Sequence, residues 1–272
     1  MQKIEFIKMH GLGNDFVIID RRTNNIDINK NIIHKLSDRK TGAGCDQVIT
    51  IDKNTSLDHD ARIQIFNPNG DSAEACGNGT RCVAKLLFEE KKTNNLKLRS
   101  LAGILSAQKI NNDIISINLG RLSHHWEDIP LTREVDTLNV PIQLENIISG
   151  VAVNVGNPHI VFFGKNINLF DLNSFGPKIE NHELFPEKTN VEIVEVVNRK
   201  VIKMRVWERG AGITLACGSG ACAAVYASIL KGVTDNDVEV KLAKGSLQVK
   251  IQNNEAIMMG PAEESFRGYI EI

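Results

Sequence analysis

The chain repeats itself, and that limits its fold more than any other feature. Residues 61–79, "ARIQIFNPNGDSAEACGNG", align without gaps to residues 202–220, "IKMRVWERGAGITLACGSG", an offset of 141. Each copy runs through an alternating apolar segment, an aromatic residue (Phe66, Trp207), a polar turn and the sequence A-C-G-x-G. "GNDFVII" from Gly13 lies against "GNPHIVF" from Gly156 at an offset of 143, and Gln47 in "DQVI" lies against Asn190 in "NVEI" at the same offset. "AGILSAQKINND" from Ala102 resembles "KGSLQVKIQNNE" from Lys244 at 142. Matches in one order at a nearly constant offset predict two structurally similar halves. The expected division is an N-terminal lobe over 1–120, to which the tail 263–272 returns, and a C-terminal lobe over 121–262, with the crossover near "GRLSHHWEDIPL".

Short alternating segments dominate both halves: "IEFIK", "RIQIF", "LKLRS" and "IISINL" in the first, "VEIVEVV", "VIKMRVW", "VEVKLA" and "LQVKI" in the second. Their period of two predicts mostly antiparallel strands. A helical period follows each repeated cysteine. Thr80, Val83, Ala84 and Leu87 share one face after Cys76, and Ala221, Ala224, Val225 and Ser228 share one after Cys217, with Gly232 as a stop. Shorter helices are predicted over "NKNIIHKLSDRK" and "NINLFDLNS". The fold class is therefore α+β, in two pseudo-symmetric lobes, each with a cysteine-headed helix.

Composition removes several kinds of function. A formal net charge of -1 gives no basic surface for nucleic acid or anionic membrane. No apolar run approaches a membrane span, and the alternating N-terminus lacks a signal-peptide pattern. Five cysteines in 272 residues, an odd number, argue for reduced thiols and a cytoplasmic location. No C-x-x-C or other metal spacing is present, so no metal is expected.

A cysteine directly before a glycine-rich helix start has a specific chemistry. Unpaired backbone N–H groups and the helix dipole favour negative charge there. The expectation is a thiol with a lowered pKa, beside donors that can hold a substrate carboxylate. One such thiol is a nucleophile or base. Two, on matching lobes, suit a carbon that loses its proton to one thiol and regains a proton from the other, which inverts the stereocentre. Cys45, Cys82 and Cys222 lack this context and are read as packing residues.

The segments "KMHGLGNDFVIID", "GCDQ", "ACGNGTRC", "VGNPHIVFF", "FPEKTNVE" and "RVWERGAGITLACGSGACA" resemble the PLP-independent diaminopimelate epimerases from about Lys8 to the C-terminus. The resemblance implies interconversion of LL- and meso-diaminopimelate, on the way to lysine and peptidoglycan, with no cofactor. It implies lobes that are each a strand-rich, mixed or antiparallel barrel-like sheet around a central helix, with the site between them. By the same resemblance the catalytic residues are Cys76 and Cys217, assisted by His159 and Glu208. The substrate-binding residues are Asn14, Gln47, Asn67, Gly77, Asn78, Asn157, Asn190, Glu208, Arg209, Gly218 and Ser219. A homodimer is implied, with Phe266 where the family often has a contact tyrosine. The loop "NPNGD", Asn67 to Asp71, departs from the family's usual Asn-x-Asp-Gly-Ser.

The chemistry of these residues fits a doubly zwitterionic substrate. Amides accept from ammonium and donate to carboxylate, Arg209 can grip a carboxylate with its planar fork, and Glu208 can pair with an ammonium. The paired His124 and His125 read as linker surface, and "EEKK" at 89–92 as a solvated helix end. A proline or hydroxyproline racemase shares the two-thiol logic but needs no distal clamp. The phenazine-biosynthesis type shares the architecture without paired thiols. A non-catalytic amino-acid-binding protein would need no ionisable thiols at all.

Overall fold

The computed structural model describes residues 3–24, 26–54, 56–142 and 149–271. They form two compact units, Met1–Ile117 with Gly260–Ile272, and Asn118–Met259. The first contains β1 (Lys3–Gly11), β2 (Asn14–Asp20), α1 (Lys30–Ser37), β3 (Gln47–Asp52), β4 (Ala61–Phe66), β5 (Ser72–Ala73), α2 (Gly77–Lys91), β6 (Asn95–Ser100), β7 (Gly103–Lys109) and the first half of β8 (Ile114–Arg121). The second contains β9 (Val151–Asn154), β10 (Pro158–Phe163), α3 (Leu172–Glu180), β11 (Asn190–Asn198), β12 (Val201–Glu208), β13 (Gly212–Ile213), α4 (Gly218–Leu230), β14 (Asp237–Leu242), β15 (Gly245–Gln252) and most of β16 (Glu255–Pro261). β17 (Glu263–Glu271) belongs to the first unit and pairs antiparallel with β1.

The two units use one pairing scheme. In the first, β1 and β2 are antiparallel, β2 and β3 parallel, β3 and β4 antiparallel, β4 and β6 parallel, and β6 and β7 antiparallel. In the second, β9 to β12, then β14 and β15, follow the same alternation. The register repeats as well: Phe16 faces Gln47 on β2 and β3, and His159 faces Asn190 on β10 and β11. Among the described residues most strand pairs are antiparallel, as expected, and the parallel ones are β2 with β3, β4 with β6, β10 with β11 and β12 with β14. Alternation of side chains reports which face is buried and says nothing of strand direction. A parallel pair needs a long crossover, and a helix fills each one here: α1 and α2 in the first unit, α3 and α4 in the second.

α2 and α4 are the central helices. α4 is buried on every side from Gly220 to Ser228, enclosed by β9 to β12, β14 and β15. That is why its sequence, Ala-Cys-Ala-Ala-Val, has no polar face. α2 packs Val83, Ala84 and Leu87 against its own strands and leaves Glu89 to Lys92 exposed. Truncating Leu87 to Ala would cost about 2–5 kcal/mol. α4 closes at Lys231 with Gly232 at φ +73° beyond it. The outer helices cover the opposite sheet faces. α1 seats Ile32, Ile33 and Leu36 with Val17, Ile19 and Val48, and α3 seats Leu172 and Ile179 with Ile160, Phe162 and Val191. The predicted single helix over "NINLFDLNS" is two pieces, a 3-10 turn at Ile167–Leu169 and α3, because the Asp171 carboxylate accepts from the N–H groups of Asn173 and Ser174 and starts a new helix.

Candidate active site

Each unit contributes a cysteine that caps its central helix. In the first, the Cys76 sulfur accepts from the Gly79 N–H at 3.4 Å. A Cβ on Gly79 would sit 2.4 Å from Ile49 Cδ1 and 3.3 Å from the Phe16 ring, so glycine is what lets the helix start lie on β2 and β3. Gly77 and Asn78 are the first two residues of α2. The Asn78 amide donates to Asn14 Oδ1 at 3.1 Å, the Cys76 thiol lies 4.0 Å from the same oxygen, and Asn14 Nδ2 donates to Asp46 at 2.9 Å. Arg81, fully buried one turn into α2, donates to Asn78 Oδ1 at 2.9 Å and to the Pro261 carbonyl at 3.2 Å. The chain Arg81–Asn78–Asn14–Asp46 thereby fixes which amide atom each asparagine presents. Gln47 donates to Asn67 Oδ1 at 2.9 Å, and Asn67 closes the "NPNGD" turn through its backbone, with Gly70 at φ +82°. Next to Asn14, Asp15 pairs with buried Lys8 at 2.6 Å and with Arg39 at 2.7 Å. Burial works to raise the Asp15 pKa, but these two cations outweigh it and bring it to about 2.

In the second unit the Cys217 sulfur accepts from the Gly220 N–H at 3.4 Å and lies 3.5 Å from the Ser219 hydroxyl. Gly218 opens α4. His159 on β10 and Glu192 on β11 are both 0% exposed, joined Nδ1 to Oε1 at 2.8 Å, and His159 Nε2 lies 2.9 Å from Asn157 Oδ1. Asn190 donates to the Pro158 carbonyl at 2.9 Å and accepts from the Arg209 N–H at 2.9 Å, while the Arg209 guanidinium reaches the Glu187 carbonyl at 3.1 Å. Glu208 accepts a short hydrogen bond from Thr214. The predicted residues thus gather as two sets. Asn14, Gln47, Asn67, Cys76, Gly77 and Asn78 lie in the first unit, and Asn157, His159, Asn190, Glu208, Arg209, Cys217, Gly218 and Ser219 in the second. Phe266 sits apart on β17, half exposed, its ring edge-on to Phe6 at 6.1 Å.

One expectation is reversed. Cys217 does not have a lowered pKa: its thiol is pushed well above the ordinary value, first by burial, then by the negative charges of Glu208 and Glu192. The Ser219 hydroxyl and the Gly220 N–H act the other way and are outweighed. A helix terminus aids a thiolate only while water or cations share the load, and at 5% exposure with two carboxylates nearby Cys217 keeps its proton. Burial also raises Cys45 to about 11 and Cys82 to about 12, and Cys222 is fully enclosed. Sequence reasoning missed Asp46, Arg81 and Glu192. For Glu192 a signal existed: at an offset of 143 it replaces Ile49. Among the described residues no cluster of three or more His, Cys, Asp or Glu side chains could hold a metal ion, and no helix is long and apolar enough to cross a membrane.

The fold is that of a class of solved racemase and phenazine-biosynthesis structures. It superposes on a hydroxyproline epimerase from Agrobacterium vitis with a TM-score of 0.73 at 12% identity, covering 98% of this chain and 92% of that one. It also superposes on a PhzF-family phenazine biosynthesis protein from Bacillus anthracis with a TM-score of 0.70 at 16% identity over 100% of both chains. Within that class the sequence is specific. The diaminopimelate epimerase family profile matches residues 6–124 and 151–264. The chain is 43% identical over 267 residues to a diaminopimelate epimerase from Pelagibacter ubique, covering 96% of each. It is 47% identical over 251 residues to one from a Wolbachia of Drosophila simulans, covering 92% of this chain and 93% of the other. The chain belongs to the diaminopimelate epimerase family, a family of isomerases.

Proposed function

We propose that this chain interconverts LL- and meso-2,6-diaminopimelate by proton transfer at one α-carbon, with Cys76 and Cys217 as the two acid/base groups and no cofactor. The observation that carries the reading is the cysteine-capped central helix, present twice, in a chain of this family. A thiolate removes the α-proton while the other thiol delivers a proton to the opposite face, so each turnover exchanges the roles of the two sulfurs. The N–H groups at the helix starts, Gly77-Asn78 and Gly218-Ser219, receive the α-carboxylate. Asn14, Gln47, Asn67, Asn157 and Asn190 orient the zwitterions, Arg209 holds a carboxylate, and Glu208 takes an ammonium. That last contact has an electrostatic consequence. An ammonium on Glu208 cancels one of the charges that hold the proton on Cys217, so substrate binding itself eases formation of the thiolate. The product feeds lysine and peptidoglycan synthesis in the cytoplasm. A homodimer through β17 is part of the proposal, supported by the exposure of Phe266 and Tyr269 there.

The test is incubation of purified protein with LL-diaminopimelate in D₂O. α-Deuterium incorporation together with the meso isomer is expected, unchanged after chelator dialysis or hydroxylamine treatment. Cys76→Ala and Cys217→Ala should each lower turnover by a factor on the order of 10² or more. Retention of epimerisation by either variant would refute the two-thiol reading, and sedimentation of the protein as a monomer would refute the dimer.

A further inference from the structure

Glu180, the last residue of α3, is an acid only 6% exposed. Burying a carboxylate this far is costly unless donors take up its oxygens. Here both oxygens are taken. Oε2 accepts from the Trp207 ring N–H at 2.7 Å, and Oε1 accepts from the Gly210 backbone N–H at 3.0 Å. These donors stand directly before and directly after Glu208 and Arg209 in the chain, so one carboxylate brackets that pair. The approach is close. A Cβ on Gly176, one turn earlier in α3, would fall 2.2 to 2.6 Å from the Trp207 indole, and the turn after Arg209 runs through Gly210 and Gly212 at φ +74° and +83°. The first unit makes the matching turn between β4 and β5 in the same register, Phe66 against Ser72 where the second has Trp207 against Ile213. Phe66 has no ring N–H to offer. The turn therefore forms without a donor at this position, and folding alone does not account for the bracket.

We propose that Glu180 is a positioning residue for substrate binding: by holding Trp207 and Gly210 it sets where Glu208 and Arg209 present their side chains. The proposal rests on the reading that this pair receives an ammonium and a carboxylate of the substrate. The Gly210 N–H belongs to the planar peptide that joins it to Arg209, so holding that group fixes the backbone on one side of Arg209. The Arg209 N–H, taken by Asn190 at 2.9 Å, fixes the peptide on the other side. The guanidinium is aligned by the Glu187 carbonyl at 3.1 Å, and the next residue, Lys188, brings its ammonium to 3.7 Å from Glu180 Oε1. A planar fork grips a carboxylate only at the right angle, so a turn free to tilt loses that grip. Glu180 touches no substrate and acts through the turn.

The experiment is steady-state epimerisation of LL-diaminopimelate by folded variants, their folding checked by calorimetric melting. Glu180→Gln keeps the size of the side chain but offers one acceptor oxygen to two donors. Its KM should rise about tenfold with kcat within about threefold of the wild type, the pattern of lost uniform binding. Trp207→Phe removes one donor and leaves the Gly210 bond, and its KM should rise about threefold. In Glu180→Gln/Trp207→Phe a single oxygen again faces a single donor, so KM should fall back from the Glu180→Gln value to that of Trp207→Phe. An unchanged KM in both single variants, a fall in kcat at unchanged KM, or a double variant whose KM rises by the product of the two single effects would each overturn the proposal. If Glu180→Gln does not fold, the KM of Trp207→Phe decides alone. Arg209→Ala tests the reading beneath it. An unchanged KM in Arg209→Ala would overturn substrate binding by Arg209, whereas a raised KM there with an unchanged KM in Glu180→Gln would overturn the positioning role alone.

Discussion

Gly220→Ala measures how tightly the Cys217 helix rests on Glu192. The new Cβ would lie 2.8 Å from Glu192 Oε1, so that oxygen must retreat by about half an ångström to reach an ordinary contact of about 3.3 Å. It now lies 2.8 Å from His159 Nδ1, and the retreat takes the pair out of the range of a charge-assisted hydrogen bond. Losing such a bond costs about 1.5–3 kcal/mol. Alanine in place of glycine returns up to about 1 kcal/mol of helix propensity. The net destabilisation is about 1–2 kcal/mol, a fall in melting temperature of about 2–8 °C for a chain of this size. Differential scanning calorimetry of the wild type, Gly220→Ala, Glu192→Ala and the double variant forms a closed cycle. If the clash is with Glu192, Gly220→Ala costs nothing in the Glu192→Ala background and is stabilising by up to about 1 kcal/mol. An equal cost in both backgrounds would refute the contact as the cause.

Glu208→Gln removes a charge that holds the proton on Cys217, so iodoacetamide should modify Cys217 at lower pH in the empty enzyme, read by peptide mass spectrometry; an unchanged profile would remove Glu208 from the account. In the native wild type, half-buried Cys76 should alkylate first, while Cys45 and Cys82, buried and raised to about 11 and about 12, stay unmodified until the protein unfolds. The Asp15 pKa of about 2 in the folded protein lies below its unfolded value of 3.8, so its stabilisation, about 2 kcal/mol, is present above pH 4 and is lost as the pH falls toward 2. Urea titrations across that window should show a shallower decline for Asp15→Asn than for the wild type, and parallel declines would refute the assignment.

Much of this molecule is written in local pattern. The repeat at offsets of 141 to 143, the alternating segments and the apolar spacing after each cysteine depend on neighbours within a few residues, and the helices do begin at Gly77 and Gly218, directly after Cys76 and Cys217. Strand direction is not written there, because alternation is the same for parallel and antiparallel neighbours, and only the crossover helices α1 to α4 decide it. Nor is the protonation of Cys217. The A-C-G-x-G motif reads alike in both halves, but desolvation and the charges of Glu192 and Glu208 come from strands 9 to 25 residues away in sequence. The asparagines and glutamine stand in the sequence as separate amides, and folding joins them into chains such as Arg81–Asn78–Asn14–Asp46. Sequence determined where the two thiols stand on their helices; tertiary structure decided what surrounds each, because charge and burial act through space and not along the chain.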